Sequence, residues 1–179
     1  GSDSHGSFGR YRQLRFPWFS LSDNRSHLFG ATRTVVRCPS STEQDILDAM
    51  RGGRCYLTDG PEITLTAHSP TSTAEIGDTV RGTPVQVVLS ARSIAEFGPI
   101  VKVGIGVGIP GSASEEWHWR DIEDKNIFDI TADMGNVFDD PKVSEGDGYA
   151  AYVRAEVWTG TGRSAFTNPI WINGAEGPR

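Results

Sequence analysis

From Ile63 onward, apolar residues recur at every second position in one short run after another. This period of two limits the possible folds more than any other feature of the chain. Ile63, Leu65 and Ala67 alternate with Thr64 and Thr66, and Val85, Val87, Leu89 and Ala91 form a face with Gln86 and Ser90 opposite. Val101, Val103, Ile105, Val107 and Ile109 alternate with Lys102, Gly104, Gly106 and Gly108. Successive side chains of a strand point to opposite faces, so each run predicts a β-strand buried on one side. Phe128 and Ile130 mark another short strand. Ala151, Val153, Ala155 and Val157 then face one way, with Tyr152, Arg154, Glu156 and Trp158 facing the other. Thr159-Gly-Thr-Gly162 separates that run from Arg163–Asn173, which predicts a hairpin. Asn168-Pro169 sets the last strand, Ile170 to Ile172, at a sheet edge or after a kink, because proline has no N–H to give a ladder. Glu75-Ile-Gly-Asp78 and Arg81-Gly82 read as turns. About seven strands in roughly 115 residues, closely spaced, predict an immunoglobulin-like antiparallel β-sandwich in a mainly β chain. A loop-rich segment and one short α-helix precede it.

Within the sandwich two patterns stand out. The 101–109 run is branched aliphatic on one face and nearly bare on the other. Glycine repeated at period two means that another surface approaches the backbone closely. The run is no phosphate loop, because no helix follows it and Pro110-Gly111 ends it. Trp117-His118-Trp119 puts two indoles on one face and His118 on the other. The pair reads as an exposed sugar-stacking platform or, the commoner arrangement, as part of a core. With Trp158 these residues make a candidate aromatic contact surface. The acidic stretch Asp133–Gly148 lacks the ligand register of a calcium loop and reads as a solvated loop.

Before Pro61 the texture differs. Ala31–Arg37 reads as a short strand. Ser41 and Gln44 have capping-box spacing, Glu43 and Asp45 lie in the first turn of a predicted helix, and Arg51 lies in the last. Ile46, Leu47, Ala49 and Met50 share one side, so this helix is expected to pack against something. Gly52-Gly53 stops it, and a strand Arg54–Leu57 and the breaker Asp59-Gly60-Pro61 follow. Cys38 and Cys55 flank the helix, either as a disulfide or as two thiols buried as small hydrophobes. Further upstream, Arg10, Arg12 and Arg15 are interleaved with Phe8, Tyr11, Phe16, Trp18 and Phe19. This is either a loop anchored by its aromatics or a phosphate or substrate contact. Asp3 and His5, at i and i+2, share a face of an extended segment and are candidate metal ligands, though two ligands make half a site. The remaining histidines, His27, His68 and His118, fall in no catalytic motif.

The formal net charge of −6 argues against a nucleic-acid partner, which needs clustered Lys and Arg to neutralise phosphates. No apolar run is long enough for a membrane-spanning helix. No leader peptide is visible, and the compartment is left open.

Three stretches together resemble the C-terminal part of PHP-type (polymerase and histidinol phosphatase superfamily) metal-dependent phosphoesterases. Gly1-Ser-Asp-Ser-His-Gly6 is similar to the last metal motif of that family. Asp45 to Pro61 resembles the closing helix and strand of the domain in CehA/McbA-type metallohydrolases. Tyr152 to Ile170 looks like the end of the β-sandwich that follows the barrel. Residues 93–148 match only as a generic sandwich. The resemblance implies that residues 1–58 are the tail of a PHP barrel and 59–179 its C-terminal sandwich, an accessory module that packs against the barrel or positions substrate. It implies Asp3 and His5 as two ligands of a site for Mn, Zn or Fe, whose bound hydroxide would hydrolyse esters. The family's upstream His-x-His motif is missing from the 179 residues, so the piece alone is expected to be inactive and to bind no metal stably. Its partner would be the barrel of the same protein. The helix face of Ile46, Leu47 and Met50 would otherwise meet a second copy of the chain, the Phe8–Phe19 segment or the sandwich. A different class of reading is a stand-alone binding module for carbohydrate or protein.

Overall fold

A computed structural model describes residues 13–16, 19–22, 32–82, 84–133 and 151–173. Its order is β1 (Gln13–Phe16), β2 (Phe19–Ser22), β3 (Arg33–Val36), α1 (Glu43–Arg51), β4 (Cys55–Thr58), β5 (Glu62–His68), β6 (Thr73–Glu75) and β7 (Thr79–Arg81). It continues with β8 (Gln86–Arg92), β9 (Ile100–Gly108), β10 (Glu115–Lys125), β11 (Ile127–Asp133), β12 (Ala151–Thr159), β13 (Ser164–Thr167) and β14 (Ile170–Asn173). The chain is mainly β, and its layers form the β-sandwich that the alternation predicts. One sheet has the path β10-β9-β12-β13-β4-β3, with β14 beside β12 and β7 beside β14; the other runs β11-β8-β5-β6. Every pairing is antiparallel except β14 with β7. β1 and β2 form a separate two-stranded ribbon.

The period-two runs fill the space between the sheets. Leu65 and Leu89 from one sheet, and Val103, Val153 and Val157 from the other, are almost wholly withdrawn from water. Burying each such side chain contributes on the order of 1.5–3 kcal/mol, which is what fixes the inward face of each strand. Ile105 and Val107 of β9 belong to the same core, so its glycines look outward. Proline chemistry shapes the end of the chain: β13 and β14 both pair with β12, interrupted at Asn168-Pro169. The kink alternative therefore holds, and β14 is interior to its sheet because β7 lies on its other side. The 75–82 region, read as turns, contributes β6 and β7 with a tight turn between them, where Gly77 has φ +88.

The helix begins one residue later than the capping-box reading puts it. Thr42, not Ser41, is the N-cap: its Oγ1 accepts from the Asp45 N–H at 3.3 Å and donates to Asp45 Oδ2 at 2.9 Å. Aspartate at the third helical position thus replaces Gln44 as the reciprocal partner. Of the apolar side, only Ala49 is buried; Leu47 is 38% and Met50 48% exposed.

The strands flanking the helix join the sandwich's large sheet through β4–β13, Phe166 opposite Leu57. The helix end is pinned as well. Asn168 Nδ2 donates to the Gly53 carbonyl at 3.0 Å, and Arg37 and Arg54 both reach Asp78, at 2.7 and 3.1 Å. Gly77 lies so close to the Gly52–Arg54 backbone that a Cβ there would fall 2.6 Å from the Gly52 carbonyl oxygen. Cys38 and Cys55 are free thiols, and Asn168 Nδ2 lies 3.2 Å from the Cys55 sulfur.

Candidate functional site

The richest chemistry among the described residues lies on the outer face of the large sheet, where β10, β9 and β12 run side by side. Register decides what meets there. Trp117 is opposite Gly106 and Trp119 opposite Gly104; on the other side of β9, Arg154 is opposite Gly106 and Tyr152 opposite Gly108. The surface that approaches the glycines is therefore made by the neighbouring strands. A Cβ on Gly104 would lie 2.5 Å from the Trp119 ring, on Gly106 2.8 Å from Trp117, and on Gly108 2.3 Å from Tyr152. Large aromatics laid across bare glycines restore the apolar cover that the glycines lack.

The two indoles stack on each other, ring centroids 4.8 Å apart and planes 14° from parallel. Arg154 lies over Trp117 with its guanidinium carbon 4.6 Å from the ring centroid, and Lys102 Nζ lies 4.6 Å from that of Trp119. Along β9 the order of rows is Gly108, Gly106, Gly104, Lys102, and Arg154 reaches toward the Gly108 row to bind Glu115. The cations therefore sit at opposite ends of a column that reads Arg154, Trp117, Trp119, Lys102. Each indole has one face against its twin and the other under a cation. Trp119 is 43% exposed. Trp158 stands apart, edge-on to Phe166 at 5.6 Å. None of these tryptophans belongs to the inter-sheet core, because their strand parity is that of the outer face.

Glu115 organises the upper end of the column. It accepts from Arg154 Nε at 2.8 Å and Nη2 at 2.7 Å, and from the Tyr152 hydroxyl at 2.9 Å; Arg154 Nη1 also reaches Glu156 at 3.1 Å. Charge-assisted, bidentate pairs of this kind fix both partners. The Arg154 hydrogen bonds hold the Glu115 carboxyl below the usual glutamate range, and the same contact raises Arg154. Burial, and then the hydrogen bond to Glu115, pushes the Tyr152 phenol up. All three shifts move the groups away from neutral pH, whereas proton transfer in catalysis wants a pKa near it. Together these residues make a charged and aromatic surface on the outer face of the large sheet.

Other sequence candidates lie elsewhere. Asp3, His5, Arg10 and Arg12 are outside the described residues, as are His27 and 134–150; Arg15 falls in β1, and its side chain is not described. Among the described residues no three of His, Cys, Asp and Glu come together as a metal-holding group. Sequence reading singled out the tryptophans but missed Glu115, Arg154 and Lys102. Their one signal is shared strand parity, and it becomes informative only once β10, β9 and β12 are known to be neighbours.

No family model and no curated protein matches this sequence. Among solved structures, it is similar to the PmoD soluble domain from Methylocystis sp. ATCC 49242 (Rockwell) at 11% identity, covering 62% of this chain and 90% of that one. The TM-score is 0.36, which carries no argument about fold or function.

Proposed function

We propose that this chain is the C-terminal part of a PHP-type metal-dependent hydrolase of the phosphoesterase class. Its β-sandwich is a non-catalytic accessory module that packs against the barrel or positions its substrate. The carrying observation is an apolar surface without a partner among the described residues. Leu47 and Met50 of α1 are well exposed, and Leu57 of β4 is 41% exposed in the row Trp119, Gly104, Glu156, Phe166, Leu57, Thr34. Exposed apolar groups in such a row mark a contact surface. The sequence resemblance supports the reading too, since its two longer stretches fall on α1–β4 and β12–β14, hydrogen-bonded neighbours through β13. Asp3 and His5 would supply part of the site for Mn, Zn or Fe, which would activate water for ester hydrolysis when bound.

The competing reading is a stand-alone carbohydrate- or protein-binding module. The exposure of Trp119 favours it, but a stacked sugar needs a bare ring face, and both indoles have theirs covered. Two measurements test the leading reading. The coding sequence upstream of Gly1 is expected to carry a His-x-His metal motif, and its absence sinks the assignment. The purified chain, offered Mn, Zn or Fe, is expected to hold far less than one metal and to leave a chromogenic phosphodiester intact. Stoichiometric metal with turnover would overturn the non-catalytic role.

A further inference from the structure

The longest strand among the described residues lies at a sheet edge. β10 has 11 residues, with β9 on one side and no described strand on the other. A long edge strand presents a row of backbone N–H and C=O groups with which another strand can pair. Its register with β9 is unbroken from Glu115 opposite Gly108 to Asp121 opposite Lys102, and it shifts between Asp121 and Lys125. An irregularity of that kind ends regular pairing, so the usable edge is residues 115–121. The largest side chains leave it clear. The rings of Trp117 and Trp119 lie over Gly106 and Gly104 of β9, on the side away from the edge.

The sequence of this edge is complementary to itself. Antiparallel pairing of two copies about a two-fold axis normal to the sheet opposes residues of equal strand parity, so the axis passes through one residue. The middle of 115–121 is His118. An axis there sets Glu116 of each copy opposite Arg120 of the other, twice over, and Trp117 opposite Trp119. Glu116, His118 and Arg120 are all exposed, Glu116 with 77% and His118 with 53% of the side chain accessible. The neighbouring registers lack this match. An axis through Trp117 opposes Glu116 to His118 and Glu115 to Trp119, with no carboxylate–arginine pair. An axis through Trp119 opposes His118 to Arg120 and Glu115 to Glu123. The like-charged pair of the His118 register is Glu115 opposite Asp121, and there Arg154 already binds Glu115 through two hydrogen bonds, at 2.8 and 2.7 Å. Charges on an edge turn away a strand of arbitrary sequence, whereas a second β10 carries the charges that answer them.

We propose that two copies of this chain join through β10, antiparallel about His118, so that their large sheets run on as one across the dimer. The interface lies at the end of the large sheet opposite β3 and leaves the exposed α1–β4 groups uncovered. It therefore stands apart from the hydrolase reading, which uses that other surface.

Sedimentation velocity on the full chain over a wide concentration range tests it. A monomer–dimer equilibrium is expected. Glu116→Arg alone and Arg120→Glu alone should each weaken the dimer about tenfold or more, because each sets two like-charged pairs across the axis. Both positions are exposed, so neither variant disturbs the core. An equimolar mixture of the two variants is expected to recover association, since one chain then offers only positive and the other only negative charge at those contacts. A chain that stays monomeric at every concentration, a dimer that neither variant weakens, or a mixture no more associated than its components would overturn the proposal.

Discussion

Two residues show how differently local chemistry is read out in this fold. Gly77 combines φ +88 with backbone atoms 2.6 Å from where a Cβ would stand. Neither the left-handed conformation nor the Gly52–Arg54 backbone yields cheaply. We expect Gly77→Ala to destabilise by about 3 kcal/mol, the sum of a left-handed penalty of about 1–2 and an overpacking cost of similar size. A denaturant midpoint measures it, and a loss under about 1 kcal/mol would show that the two loops are free to separate. Glu115 acts through charge. Its folded-state pKa is held below the unfolded value, so its contribution is fully present above the ordinary glutamate range and is lost as pH falls through the lowered folded value. Glu115→Gln should therefore cost about 1 kcal/mol at pH 7, modest because the pair is partly exposed, and progressively less below about pH 4. A wild-type–variant difference that stays constant from pH 7 to pH 3 would remove Arg154 as the cause. Aromatic residues at 117 and 119 are evident in the sequence, but their resting place is not. It depends on the glycines of the neighbouring strand, which only pairing brings beneath them.

At the scale of elements, α1 and β10 each have a side without core contacts. The α1 cap was legible to within one residue because Ser40, Ser41 and Thr42 all offer a hydroxyl. Asp45 selects Thr42 by accepting its hydroxyl while offering its own N–H in return. Thr42→Ala should cost about 1 kcal/mol, read by chemical denaturation. An unchanged midpoint would mean that Ser40, which also hydrogen-bonds Asp45, takes over the cap. β10 is the last strand of its sheet. Its outward face carries Trp117 and Trp119, and its other face carries Glu116, His118 and Arg120, all exposed. Charged groups on the core-facing side of an edge strand discourage a further strand from adding there. Alternation alone does not reveal this, since a strand with aromatics on one face suggests core on that face. Here the aromatic face is the outer one.

For the molecule as a whole, β3 and β4 belong to the same sheet as β12 and β13, and Gly77, Asp78 and Asn168 tie the helix end to the strands around it. Unfolding residues 32–58 would strip the β4–β13 ladder and expose apolar groups on both sides. We therefore expect one cooperative transition for residues 32–173, with calorimetric and van't Hoff enthalpies equal. A separate early transition that melts α1 alone would contradict it. By itself, the sequence determined the β class, the inward faces of β5, β8, β9 and β12, the β12–β13 turn and a break at Pro169. These follow from interactions between residues close in the chain: alternation, turn glycines and proline's missing N–H. Tertiary structure alone decided that β9 lies between β10 and β12, and hence that Trp117 and Trp119 rest on Gly106 and Gly104 between Arg154 and Lys102. It also decided that β3 and β4 extend the sandwich's large sheet. Those outcomes depend on register between strands far apart in sequence, set by how the inward faces fit across the whole core, and no local pattern encodes that fit.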